Sequence, residues 1–235
     1  MNWHIGTSGY SYPAWKGTFY PDKLPARKFL NYYATQFDTV EYNGSFRTLP
    51  SEKAMDGWAA ETPETFRFVL KSPQKITHIR RLKEVGDDLK QLAACVSKLK
   101  TRSAPVLFQL PPNLKQDLPR LDEFLKQVGN SMQAAMEFRH ETWLNDDTYA
   151  LLKKHKAALV VADAEDLPET PLIPTSDWGY LRLRREEYTD AGLKKWIARI
   201  EAMKWKDVYV FFKHEDTGTG PELGQRLLRL VASSS

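Results

Sequence analysis

Cysteine is almost missing. Cys95 stands alone among 235 residues, which excludes an internal disulfide and leaves the fold to hydrophobic burial. It lies in the apolar-periodic stretch 89–99 and is expected to be a small buried hydrophobe rather than a reactive thiol. Long apolar runs are missing too: none approaches the roughly 18 residues that suggest a membrane span. The opening Met1-Asn2-Trp3-His4-Ile5 has neither the basic start nor the apolar stretch of a secretion signal. A cytoplasmic protein with no membrane partner is therefore expected. No Ser-His-Asp elbow, P-loop or paired Cys-x-x-Cys occurs, so the usual signatures of acyl transfer, nucleotide hydrolysis and thiol chemistry give no lead. Nor is there a polar linker long enough to divide domains. A balance of 42% hydrophobic and 27% charged residues excludes disordered and fibrous classes. The net charge of +4 suits an anionic ligand without requiring one.

What the chain does have is alternation. Short runs rich in β-branched and aromatic residues recur at 3–8, 39–43, 67–71, 105–110, 134–139, 158–163, 179–184 and 207–213. Their starts lie roughly 30 residues apart, the length of one strand-plus-crossover-helix unit. Helical periodicity fills most gaps, as in 27–37, 86–100 and 118–128. Thr189-Asp190 and Asn145-Asp146-Asp147 read as helix N-caps. The connection 166–176 carries three prolines and reads as a loop. Alternating strands and helices imply a parallel sheet. Gly6-Thr7-Ser8-Gly9 leads into Tyr10-Ser11-Tyr12-Pro13 rather than into a helix, which weakens an open nucleotide-binding sheet. The expected fold class is α/β, a (β/α)8 TIM-like barrel in a single domain over 1–232, with 233–235 as a frayed tail.

A strand of a parallel sheet is covered on both faces and should be almost uniformly apolar. Here the strands end in charged or amide residues. Because side chains alternate between faces, Glu41 and Asn43 share a face, as do Glu137 and Arg139, and as do Arg182 and Arg184. Lys71, Gln109, Asp163 and Lys213 close their strands in similar fashion. Unpaired buried charge is costly, so these groups must meet one another or a ligand near the barrel mouth, where barrel enzymes do their chemistry. A buried network that fixes strand register is the plainer explanation. The recurrence of charge at the same end of so many strands favours a ligand site.

At this point the residues match a family. Gly6-Thr7-Ser8-Gly9-Tyr10, Trp15-Lys16-Gly17, Phe19-Tyr20-Pro21 and the run from Phe37-Asp38-Thr39 through Val40-Glu41-Tyr42-Asn43 resemble the DUF72 (YecE-like) family. So do Phe66-Arg67-Phe68, Lys71-Ser72-Pro73, Ile76-Thr77-His78, Leu107-Phe108-Gln109-Leu110-Pro111-Pro112, and Glu137-Phe138-Arg139-His140 with Trp143. The resemblance runs over essentially the whole chain. It implies a TIM-like barrel and brings no settled activity. Two departures stand out: Arg184-Arg185 where the family usually has His-Gly, and Lys213-His214 where it usually has paired asparagines. Both add cations at strands seven and eight.

Glu41, Glu137 and Asp163 are the candidate acid/base carboxylates. Thr7, Ser8, Tyr10, Asn43, Lys71, His78, Gln109, Arg139, Arg182 and Lys213 are the candidate substrate contacts. Gly6-Thr7-Ser8-Gly9 could form a backbone anion cradle or simply a turn out of strand one. Tyr10, Tyr12, Trp15, Phe19 and Tyr20 are expected to anchor the first long loop rather than to stack on a base. A metal would draw on Glu41, Glu137, Asp163, His78 and His214, but Lys71, Arg139, Arg182 and Lys213 would repel it, so no metal and no cofactor are expected. Arg80-Arg81-Leu82-Lys83 reads as a solvated face. The function expected is an enzyme acting on a small phosphorylated or carboxylated anion. The alternatives are a nucleic-acid-binding or nucleic-acid-processing protein and a non-catalytic small-ligand binder. Oligomeric state is not legible.

Overall fold

The computed structural model describes residues 1–213 and 218–234. Eight parallel strands form one sheet: β1 (Asn2–Thr7), β2 (Thr39–Tyr42), β3 (Arg67–Lys71), β4 (Ser103–Gln109), β5 (Ala134–Glu137), β6 (Ala158–Asp163), β7 (Trp178–Leu183) and β8 (Asp207–Phe212). The helices among the described residues are α1 (Phe29–Tyr33), α2 (Glu52–Glu61), α3 (Gly86–Ser97), α4 (Leu118–Val128), α5 (Asp146–Lys154), α6 (Asp190–Glu201) and α7 (Thr219–Ser234). The expected barrel is therefore present as one domain. Between β6 and β7 there is no helix, as the three prolines foretold. Helix α7 continues through Ser233 and Ser234, where a frayed tail was expected; Ser235 lies outside the described residues.

Period-two patterning sorts each strand into two layers. In β8, Val208, Val210 and Phe212 pack outward in one core with Leu193, Ile197, Leu223 and Leu227 of α6 and α7. Tyr209 and Phe211 face the lumen with Val69, Leu107, Ala135, Val160 and Tyr180. Helix α4 shows the matching helical period: Leu121, Phe124, Leu125 and Val128 are buried on one face, and the Asp117 side chain accepts from the Arg120 amide at the N-cap. Asn145 and Thr189 cap α5 and α6 in the same way, as their sequences suggested. Cys95 is buried beside Met55 and behaves as a hydrophobe. Pro105 is accommodated where the β3–β4 register shifts, so that Lys71 pairs with Leu107.

The barrel closes least completely between β1 and β2. The two strands share a single bridge, Ser8 with Glu41, and Gly9 donates its amide to the Glu41 carbonyl at 2.8 Å. Below that point the Tyr33 hydroxyl of α1 stands in for the ladder. It accepts from the Thr7 amide at 2.8 Å and donates to the Thr39 carbonyl at 3.0 Å. Gly6 makes this approach feasible, since a β-carbon there would lie 2.2 Å from the Thr39 carbonyl oxygen.

Candidate functional site

Residues paired in register share a face, and this decides which strand-end charges meet. Glu41 pairs with Val69, Gln109 with Glu137, and Arg182 with both Ala162 and Phe211. Val69 and Phe211 line the lumen, so Glu41, Gln109, Glu137 and Arg182 point there too. Arg182 sits at their centre, with 2% of its side chain exposed between two carboxylates at 0%. One terminal nitrogen donates to Glu41 Oε1 at 2.8 Å; the other donates to Glu137 Oε2 at 2.6 Å and to Gln109 Oε1 at 3.2 Å. Ser8 Oγ donates to Glu41 Oε1 at 2.7 Å and the Tyr180 hydroxyl to Glu41 Oε2 at 2.6 Å. Arg139 Nε donates to Glu137 Oε1 at 2.9 Å.

The electrostatics follow from this saturation. Burial alone raises a carboxyl pKa, but Arg182, Tyr180 and Ser8 outweigh it at Glu41, whose pKa is lowered. At Glu137 burial is likewise opposed by Arg182 and Arg139, and the pKa falls to about 2. Both are held ionised. Burial raises the Tyr180 pKa well above its ordinary value, and the neighbouring Glu41 charge adds to this, so the phenol stays a donor.

Above this layer the balance of charge reverses. Lys71 extends from the end of β3 with Nζ 4.2 Å from the centre of the Phe46 ring. Among the described residues it has no ion-pair partner. Burial, then Arg182, lowers its pKa to about 8 against the pull of Glu41 and Glu137. Arg184, two residues beyond Arg182, buries Nε and Nη1 without a hydrogen-bond partner among the described residues. Its pKa is lowered by burial and by Arg182 and Arg139. His78 lies at the rim on a π-helical turn, Lys75–Ile79, with its ring edge-on to Phe46 at 5.0 Å. Burial and then Lys71, Arg139 and Arg81 lower its pKa. The loop beyond is tied to α3 by Asp88, which takes Lys75 at 2.7 Å and Arg80 at 3.3 Å. Arg81, Leu82 and Glu84 adopt left-handed backbone in that loop, with φ of 48°, 68° and 50°.

Several expected site residues stand elsewhere. Asp163 is one residue past lumen-facing Ala162, so it points outward. There it accepts from Arg185 Nε at 2.6 Å and from the Tyr188 hydroxyl at 2.8 Å, in a cleft of about 570 Å³ against α6. It is corrected from a partner of Glu41 and Glu137 to a residue of the outer face. Thr7 also faces outward, bonded to the Gly9 carbonyl and the Tyr33 hydroxyl. Tyr10 packs on Tyr33 with ring centroids 6.2 Å apart, in the outer core. Neither Thr7 nor Tyr10 faces the lumen. The anion cradle at residues 6–9 is not formed, because the amides of Thr7, Ser8 and Gly9 bond to Tyr33, Phe212 and Glu41. Trp15, Phe19 and Tyr20 are buried together and anchor the first loop as expected.

Asn43 starts a short 3-10 turn beyond β2, with its Oδ1 buried and without a partner among the described residues. Lys213 follows β8 with its amide donating to Leu183, while His214 lies outside the described residues. Among the described residues no group of three or more His, Cys, Asp and Glu is placed to hold a metal. Nor is any helix among them long and apolar enough to cross a membrane. Tyr180 in the lumen and Phe46 at the mouth were not among the expected contacts; Arg184 was expected to share the inward face of Arg182 but was not named as a contact. Tyr180 shares the parity of Arg182 and could have been found from it.

The family described as "protein of unknown function DUF72" matches residues 4–235. The chain is 24% identical to the UPF0759 protein YunF of Bacillus subtilis, over 97% of this chain and 94% of that one. It is 29% identical to the UPF0759 protein YecE of Escherichia coli, over 58% of this chain and 48% of that one. A crystal structure of a DUF72 family protein from Thermotoga maritima superposes with a TM-score of 0.85 at 27% identity, covering 99% of this chain and all of that one. A DUF72 family protein from Enterococcus faecalis, 16% identical, shares the fold at a TM-score of 0.81, over 98% of this chain and 95% of that one.

Proposed function

The chain belongs to the DUF72 family of proteins of unknown function, and from that premise, which brings no reaction with it, we propose that the barrel mouth binds a small phosphorylated or carboxylated anion and acts on it as an enzyme. One observation carries this reading. The two lumen carboxylates, Glu41 and Glu137, are fully engaged by Arg182, Arg139, Ser8 and Tyr180. Among the described residues Lys71 and Arg184 have no ion-pair partner, although Glu137 and Asp166 act on Arg184 at longer range, and the charge of Arg139 is felt by both. Uncompensated cations in a half-buried site are costly alone, and an anion between them removes that cost. The bond set around Arg182 gives Glu41 and Glu137 a supporting role. Both are ionised and fully bonded, poor proton donors and poor bases alike. They hold Arg182 rigid beneath the ligand, so proton transfer falls to Lys71, whose pKa is brought down to about 8, with the His78 imidazole at the rim as the other group able to carry a proton.

The nucleic-acid reading draws less support, because Arg80 of the basic run is already bonded to Asp88 and to the Glu84 carbonyl. Calorimetric titration with inorganic phosphate and with citrate tests the anion site. Wild type should bind at least one of them, and Arg184→Gln should bind about tenfold or more weakly through loss of a charge-assisted contact. Failure of wild type to bind either anion would remove the reading.

A further inference from the structure

Lys71 is placed for more than charge. A lysine kept only as a cation is normally paired with a carboxylate or left in water. Here the amine lies half-buried against the π face of Phe46, with no ion-pair partner among the described residues. The charged groups around it come from every neighbouring wall of the mouth. Arg182 of β7 and Arg139 after β5 repel its proton, while Glu41 of β2 and Glu137 of β5 attract it from the layer below. The rim imidazole of His78 stands beyond Phe46.

We propose that Lys71 is a nucleophilic amine that forms an imine with the carbonyl of a small anionic aldehyde or ketone, held by its carboxylate or phosphate against Arg184 and Arg139. This rests on the anion site proposed above and names the class of molecule the site takes. The step balances simply. The neutral amine attacks the carbonyl carbon, and its displaced proton goes to the oxygen to give a carbinolamine. Protonation of that hydroxyl then expels one water and leaves the protonated imine. The fixed positive charge next to the former carbonyl acts as an electron sink for a bond broken at the neighbouring carbon. Burial and the two arginines hold the Lys71 pKa near 8, so about a quarter of the amines are neutral at pH 7.5, against about 0.1% for an ordinary lysine.

Reductive trapping tests this. The protein is incubated with glyoxylate or with dihydroxyacetone phosphate and sodium cyanoborohydride, then read by intact mass and peptide mapping. One adduct per chain is expected, on Lys71, forming faster as pH rises with a midpoint at about 8 and slowed by inorganic phosphate. The probe that labels faster identifies the anion as carboxylate or phosphate. Lys71→Arg keeps the charge and should still bind phosphate while forming no adduct. If wild type binds phosphate but adducts scatter over exposed lysines, equally in Lys71→Arg, the imine is overturned and the anion site survives. If wild type binds neither probe nor phosphate, both fall together.

Discussion

At the scale of single residues the decisive group is Arg182, one guanidinium that ion-pairs with two wholly buried carboxylates. Replacing it with Met would leave Glu41 and Glu137 ionised in the lumen, one retaining Ser8 and Tyr180 and the other Arg139. Breaking a buried pair from one side costs about 3–5 kcal/mol, so Arg182→Met should show that loss in urea denaturation, if it folds at all. Glu137→Gln is milder in shape and gives the complementary pH test. The Glu137 pKa is depressed in the fold to about 2, so its contribution is fully present above the unfolded carboxyl pKa, near 4.5, and fades as pH falls toward 2. Glu41 is shifted the same way and adds to the effect. Wild type should therefore lose stability steeply between pH 4.5 and 2, and Glu137→Gln should lose less over that interval. Equal slopes for the two proteins would show that the carboxylate is not held ionised as the bonding implies.

At the scale of elements the weak point is the β1–β2 seam. Tyr33→Phe removes the hydroxyl that accepts from the Thr7 amide and donates to the Thr39 carbonyl, leaving two buried backbone groups unpaired. A cost of about 1–3 kcal/mol per orphaned group is expected, and hydrogen exchange should localise it. The Thr7 amide should lose protection while amides in the β6–β7–β8 ladder keep theirs. The strands themselves were legible in the sequence, because a run such as Val40-Glu41-Tyr42-Asn43 states both its period and its charged end. Glu41, Glu137 and Arg182 were legible as a cluster for the same reason. Asp163 was misplaced because parity within a strand does not say which face is inner; the β6–β7 register does, and it puts Ala162 beside Arg182. Phe46 could not be found at all, since its position under Lys71 depends on a 3-10 turn after β2. Helix α2 was equally unmarked, burying only Met55 and Trp58.

Over the whole molecule the charges are arranged by pole. At the amino ends of the strands, His4 lies between Asp38 at 2.7 Å and Asp207 at 3.6 Å. At the carboxyl ends, Lys71 and Arg184 lie within the electrostatic reach of Arg139, above Glu41 and Glu137, which are already ion-paired. Cations grouped at a mouth with low-dielectric walls focus a positive field there. A ligand that binds only the folded barrel raises stability by about 2.7 kcal/mol at 100 times its Kd. For a domain of this size that is roughly 5–10 °C in Tm. Phosphate or citrate at saturation should produce a shift of that order, and the shift should shrink in Arg184→Gln, where one of the receiving cations is gone. Chloride at matched ionic strength separates site binding from general screening, because screening acts on exposed charges everywhere and the site on one anion. An oligonucleotide that stabilised wild type more than phosphate, with a steep dependence on salt, would instead favour the nucleic-acid reading. Equal shifts from chloride and phosphate, unchanged by Arg184→Gln, would mean that the cations at the mouth recognise no particular anion.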